Sequence, residues 1–528
     1  MAPPAPPAPP ASPTAAATPR TRARDISDSL RPIKPNRFGF EQARHLLWRA
    51  GFGGTPEQIQ TLASWGPEKA VDHLLNYESV PYEPVSLDAF DRNIIRPPTA
   101  QERLMAAQAR RASDEETLAR LRARRQEMER DDRQQMRRIQ HWWLKRMIET
   151  PRPLEEKMTL FWHGHFATSY RTIENSYHMF KQNAMFRRHA CGNFGDLLFQ
   201  IIRDPAMLAY LDNNDSRRGR PNENLARELM ELFSLGVGNY TEKDIKEGAR
   251  ALTGYTFEDD EFVFQERNHD DGVKTILGKS GRLDGDDFVR AILEHKRCAP
   301  FIVSKLYRAL VMDYPTGDEQ RDRVAKSVVR DLAATLLSSR YNLKPVLRRL
   351  LLSEHFYDPA VVGGQIKSPV ELVVGAVRSL NTPVRDLSVL NDALALMGQN
   401  LFFPPSVAGW AGGRSWINTS TMFVRQNTLC FLLTGRKPSG YDALASEQRY
   451  DPTPLLAELA RADPAAMSDP ERIVGYILRF ALAVDVPEGS GLRQELLSYV
   501  RSLGGRIDAD VVTAVLLLLT AAPEYQLC

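Results

Sequence analysis

The chain reads as mainly α: a large multi-helix bundle with a short β-hairpin insertion near residues 255–278. Three observations predict this. Apolar residues recur at helical spacing along most of the sequence, as in Phe40, Ala43, Leu46, Leu47 and Ala50, which lines them on one face of a 3.6-residue helix. Helix starts carry capping chemistry: Thr55 precedes Pro56 at a first helical position, and Gln58 completes a capping box. One stretch alone changes to period two, with Tyr255 and Phe257, Phe262 and Phe264, and Val273 to Leu277, the pattern of paired strands.

In chain order, residues 1–35 are dominated by Ala, Pro, Ser and Thr, a composition that cannot offset its ordering entropy by burial, so a disordered tail is expected. Residues 36–528 read as one helical unit. Within it, 36–98 form an N-terminal helical bundle, punctuated by the stop Gly51-Phe52-Gly53-Gly54 and by a start at Ser64 to Pro67. Residues 99–150 are dense in Arg, Glu, Asp and Gln, without Gly or interior Pro, and predict one long charged helix. Because Glu115, Glu116, Glu127, Asp131 and Asp132 interleave with its arginines, a solvated or coiled helix is expected in preference to a nucleic-acid arm. Its end, Trp142-Trp143-Leu144 with Met147-Ile148, packs into the main body, 151–528. Asp271-Gly272 supplies a hairpin turn. Beyond it, helical runs are expected near 285–297, 299–312, 319–337, 343–353, 368–380, 387–397, 418–434, 453–461, 470–484, 489–503 and 508–521.

Composition narrows the function. Hydrophobic residues at 43% and charged residues at 26% are ordinary globular usage. Lys and Arg total 69 against 66 Asp and Glu, a net charge of +3, so no strong field of one sign favours nucleic acid as a partner. The four cysteines, Cys191, Cys298, Cys430 and Cys528, lie far apart and form no CxxC pair, which indicates neither a disulfide framework nor a zinc ribbon. The apolar run Val511 to Ala522 is too short to span a bilayer, so no transmembrane segment is expected. The absence of a standard export signal predicts a cytoplasmic location.

Four strings hold the residues suited to chemistry. In Phe161-Trp162-His163-Gly164-His165-Phe166 two imidazoles sit one residue apart. They converge on a metal only if the backbone leaves the helix at Gly164, since helical geometry points them to nearly opposite sides; otherwise they are a core and a surface histidine. In Pro221 to Phe233, Leu225, Ala226, Leu229, Met230, Leu232 and Phe233 fill one arc of a helix, and Glu223, Asn224, Arg227, Glu228 and Glu231 the other. That polar arc is a solvated face paired through Glu223–Arg227 and Arg227–Glu231, or a set of inward ligands of the kind helical bundles use. In Asn268-His269-Asp270-Asp271-Gly272, His269 and Asp270 are not needed for the turn and suit a metal site or a general base with its orienting carboxylate. The loop Pro404 to Asn418 combines Gly409, Gly412 and Gly413 with Trp410, Trp416 and Arg414, either a wall that stacks and clamps a ligand or a buried turn. No G-x-S-x-G, H-E-x-x-H, Walker or G-x-G-x-x-G motif occurs.

Taken together, ordered strings resemble the large bacterial family catalogued as domain of unknown function 1800. They include His45-Leu46-Leu47, Arg49 to Gly53, Phe161 to His163, His165 to Ser169, Arg203 to Met207, Leu211-Asp212-Asn213, Pro221 to Glu231, Ala249 to Gly254, His269-Asp270, Lys367-Ser368-Pro369, Gly409-Trp410 and Trp416-Ile417-Asn418. The resemblance implies a predominantly helical unit and no established activity. It also implies a secreted, sulfatase-like protein encoded nearby as a partner, and hence export in a complex as the alternative location. Gly164 and Tyr255 stand where relatives often carry Asn and Trp.

The expectation drawn from these strings is a metal-dependent enzyme, hydrolytic or oxidative, built around a divalent ion. Its metal ligands would be His163, His165 and Glu231; its catalytic groups His269, Asp270 and Glu228; and its ligand-binding residues Trp410, Arg414, Trp416, Asn418 and Asn224. The alternative is a non-catalytic helical scaffold for the sulfatase-like partner.

Overall fold

A computed structural model describes residues 26–436, 450–504 and 507–528. Among them the chain forms 23 α-helices and four short strands, the mainly helical fold that the periodicity predicts. The Thr55 capping box is present at the start of the Pro56–Trp65 helix, and the next helix begins at Pro67. Every helical run predicted after residue 285 is found within a few residues of its expected bounds. Among the described residues no helix is long and apolar enough to cross a membrane.

Three local expectations change. The predicted tail extends too far, because residues from Ile26 onward are attached to the body: Ile26 and Ile33 are buried, the Ile33 N–H donates to the Leu352 carbonyl at 2.8 Å, and Ser29 Oγ donates to Glu354 at 2.8 Å. The remainder of that tail, 1–25, lies outside the described residues. The single charged helix is instead two, Ala100–Ala112 and Glu115–Glu149, packed against each other. Ser113 turns the chain through a left-handed φ of 52°, and Asp114 caps the second helix by accepting the Thr117 N–H at 3.0 Å. The β insertion holds two hairpins. β1 (Tyr255–Glu258) pairs with β2 (Glu261–Phe264), and β3 (Lys274–Ile276) with β4 (Lys279–Gly281). Their turns lie at Asp259-Asp260 and Leu277-Gly278, where φ is positive at Asp259, Leu277 and Gly278. Asp271-Gly272 therefore belongs to the connection between hairpins rather than to a turn.

The long helix changes character along its length. Its first half is solvated, whereas Met136, Ile139, Trp143, Leu144 and Met147 near its end are fully buried, a stripe at helical spacing that packs on the Pro153–His165 and Ser176–Arg188 helices. A buried carboxylate fastens this junction. Glu156 accepts from Arg146 Nε at 2.6 Å, Arg187 Nε at 2.7 Å, Arg187 Nη2 at 2.9 Å and Trp143 Nε1 at 2.9 Å. Burial alone would raise its pKa, yet the two guanidiniums hold it below the ordinary value.

Candidate functional site

The Pro153–His165 helix runs unbroken through Gly164, so His163 and His165 point apart, as about 100° per residue requires. His163 is fully buried among Trp143, Phe186, Phe402 and Trp410. Its Nε2 accepts the Phe402 N–H at 3.2 Å, which places the ring proton on Nδ1, an atom with no protein partner. His165 lies on the other side against Phe161 and Phe166, and its Nε2 donates to the Phe233 carbonyl at 3.0 Å. Burial pushes the pKa of both rings down to about 3, so each is neutral at physiological pH.

The Phe233 carbonyl is open to His165 because the predicted amphipathic helix ends early. It is α-helical over Asn224–Met230 and then widens into a π-type turn, Glu231–Leu235, whose last carbonyls have no helical partner ahead of them. The apolar arc is buried as predicted, at Leu225, Ala226, Leu229, Met230 and Phe233. On the polar arc Arg227 pairs with Glu223 at 3.3 Å, and with Glu242 at 3.0 Å in place of Glu231. Glu231 accepts instead from the Tyr240 hydroxyl at 2.5 Å. Glu228 has one buried carboxylate oxygen without a partner, and burial, with Glu231 adding to it, raises its pKa. Asn224 is exposed at the helix start.

His269 and Asp270 are occupied in holding the β insertion to the Glu242–Ala251 helix. His269 Nδ1 donates to the Thr253 carbonyl at 2.8 Å. Asp270 takes Arg250 through two bonds of 2.7 and 3.0 Å, and that hydrogen-bonded guanidinium brings its carboxyl down to about 2. Among the described residues no three His, Cys, Asp or Glu side chains gather where they could hold a metal ion. The expected ligand set is thus not assembled, because His163 and His165 diverge and Glu231 is engaged by Tyr240.

The geometry does bring His165 together with the tryptophan loop. A cavity of about 450 Å³ lies between the Pro153–His165 helix, the Cys298–Leu310 helix, residues 365–371 and the loop, with His165, Trp410 and Trp416 in its wall. The loop is seated tightly. A Cβ at Gly409, whose φ is +77°, would lie 2.0 Å from the Gly164 carbonyl oxygen, so glycine is required for this close approach. Trp416 is almost fully buried, and Trp410 Nε1 is buried without an acceptor. Asn418 caps the Thr419–Thr434 helix by accepting the Thr421 N–H at 3.0 Å, and Arg414 is exposed. Neither lines the cavity; nor do Asn224, Glu228, Glu231, His163, His269 or Asp270.

Charged groups that the sequence reading passed over complete the wall. Lys157, Leu160, Phe161 and Gly164 form one helical stripe facing the cavity. Lys157 is ion-paired with Glu371. Burial alone would raise the Glu371 pKa, but Lys157 and the Ser368 N–H at 2.7 Å hold it down. From the Cys298–Leu310 helix come Lys305 and Arg308. Arg308 lies 3.7 Å from Asp313 and donates to the Ala411 carbonyl at 3.3 Å. Among the described residues Lys305 has no carboxylate or carbonyl partner; its ammonium sits 5.2 Å from the Phe301 ring centre. Burial, and secondarily Arg308, lowers its pKa. The signal was present in the sequence, because Lys305 and Arg308 are cations three apart on an otherwise apolar helix. Behind the cavity Lys367 is fully enclosed between the Trp48 and Tyr525 rings and donates to the Tyr525 carbonyl at 2.7 Å, with burial bringing its amine down to about 7.

The site is thus an aromatic cavity with neutral histidine, paired charges and, among the described residues, one cation without an ion pair, on a mainly helical frame. A family model described as protein of unknown function (DUF1800) matches residues 45–527, and the chain belongs to that family. No curated protein and no solved structure matches the chain.

Proposed function

We propose that this protein is an enzyme or carrier whose site is the cavity beside the tryptophan loop, and that its ligand is a small molecule bearing a flat ring. The observation that carries the reading is convergence. Segments as distant in sequence as 157–165, 305–313, 365–371 and 408–416 supply one concave wall, mixing apolar and aromatic surface with a few polar groups, as small-molecule sites do. Phe161, Trp410 and Trp416 offer surface against which a ring can stack. With its ring proton on Nε2, His165 has Nδ1 as an acceptor without a protein partner, suited to a hydroxyl or amide of the ligand. The chemistry this wall can support is hydrogen bonding, charge stabilisation and proton transfer.

The test is a titration with a neutral fluorescent naphthalene such as Prodan, comparing the full chain with Ala411→Trp. Ala411 lines the cavity yet is exposed, so the substitution fills the mouth without disturbing the core. The reading expects saturable binding that the substitution weakens by about tenfold or more, equivalent to ~1.4 kcal/mol. Binding that is unchanged by Ala411→Trp refutes the cavity as the site.

A further inference from the structure

We propose that the molecule held in this cavity is an anion, whose oxyanion group is received by Lys305 and Arg308 while its ring lies along Trp410; this rests on the cavity being the binding site.

The argument is one of charge. The two carboxylates in the wall, Glu371 and Asp313, face Lys157 and Arg308 respectively. His165, held neutral by burial, adds no charge. What is left is Lys305, a half-buried ammonium that no carboxylate among the described residues pairs with, whose neighbour one helical turn on is a second cation, Arg308. Leaving a cation part-buried and unpaired is costly unless a partner completes it. Ile302 and Leu306 beside it are buried and apolar, while Lys305 and Arg308 stand on the side of the helix that lines the cavity. Burial, and secondarily Arg308, lowers the Lys305 pKa, and an anion between the two cations would oppose that shift. Arg308 makes a long 3.7 Å contact with Asp313 and one bond to the Ala411 carbonyl, and a guanidinium with five N–H donors has others to share with an oxyanion. The aromatic surface and the cations together select a ring that carries the charge, rather than a bare inorganic ion.

The experiment compares 8-anilinonaphthalene-1-sulfonate, a ring-bearing anion, with neutral Prodan on the full chain and its variants. Lys305→Met should weaken the anionic probe by about tenfold, the loss of one charge-assisted contact, while changing Prodan affinity by less than about twofold. Lys305→Arg should restore most of the anion affinity. If Lys305→Met binds both probes as tightly as the wild type while Ala411→Trp still blocks both, the anion proposal is overturned and the cavity reading stands. If Ala411→Trp affects neither probe, the cavity reading fails and the proposal fails with it. Thermal denaturation of each variant establishes that it is folded; should Lys305→Met not fold, Lys305→Gln carries the same comparison.

Discussion

Replacing Glu156 with Gln should be among the most destabilising single changes in this protein, although it touches no cavity wall. The carboxylate is completely buried and receives four hydrogen bonds, from Trp143 and from two arginines that are themselves buried. The amide retains one oxygen acceptor and presents an N–H₂ toward the cations, leaving the buried Arg187 without its ion pair and Arg146 with Glu155 alone, 3.5 Å away. Breaking such a buried ion pair from one side costs about 3–5 kcal/mol. With an unfolding entropy of roughly 2 cal/mol/K per residue, a chain of this length loses about 1 kcal/mol per degree near its midpoint, so Tm should fall by about 3–5 °C. The pH dependence has a definite sign. Because the folded pKa lies below the unfolded value of 4.5, the stabilisation is complete above that value and is lost as pH falls through the folded one. The difference between wild type and Glu156→Gln should therefore shrink below pH 4.5. Thermal denaturation followed by circular dichroism at pH 7 and pH 4 measures both effects. A variant melting within a degree of wild type at pH 7 would show that the network adds nothing beyond what an amide supplies.

The loop offers a contrast between two glycines of nearly equal φ. Gly409→Ala should lower Tm by several degrees and abolish Prodan binding, because its Cβ meets the Gly164 carbonyl, whereas Gly412→Ala, with open space around it, should cost only the left-handed backbone penalty of about 1–2 kcal/mol. Asp204 is enclosed and its carboxyl is pushed up to about 7 by burial, so the folded state holds a proton there that the unfolded state has released; stability is expected to fall as pH rises from about 4 to 7, and Asp204→Asn should flatten that slope in denaturant titrations. Ile33→Ala should cost about 2–4 kcal/mol in the same assay, since Ile33 is buried against the body; no loss would mean that the attachment at Leu352 is incidental.

The helices were legible because their information is local. Caps, proline at first positions and apolar stripes act within one turn, and Thr55, Ser368 and Asn418 are each found capping the helix that follows. The break in the charged segment was also written locally, in Ser113-Asp114 followed by Glu115 and Glu116, but uniform polarity hides a turn when periodicity is the main guide. The strands show the opposite limit. Asp271-Gly272 has good turn chemistry, yet β1 pairs with β2 across Asp259-Asp260, and register is decided by partners that a linear reading does not contain.

The candidate site was legible by kind of residue and not by convergence. Histidines, carboxylates and tryptophans stand out in the sequence by type, but their meaning depends on what each finds in three dimensions. Asp270 finds Arg250, Glu231 finds Tyr240 and His163 finds the Phe402 amide; each is engaged by the protein itself, which is how buried polar groups are normally satisfied. Lys305 was overlooked because a lysine on a helix is read by default as a solvated charge. Its significance comes from a subtraction that only the structure permits: once Lys157 is assigned to Glu371 and Arg308 to Asp313, the wall retains one positive charge that no carboxylate among the described residues pairs with. Residues whose hydrogen bonds and charges close within the protein explain the fold, and a cavity-wall residue whose charge does not close, as at Lys305, is a place to look for what the protein binds.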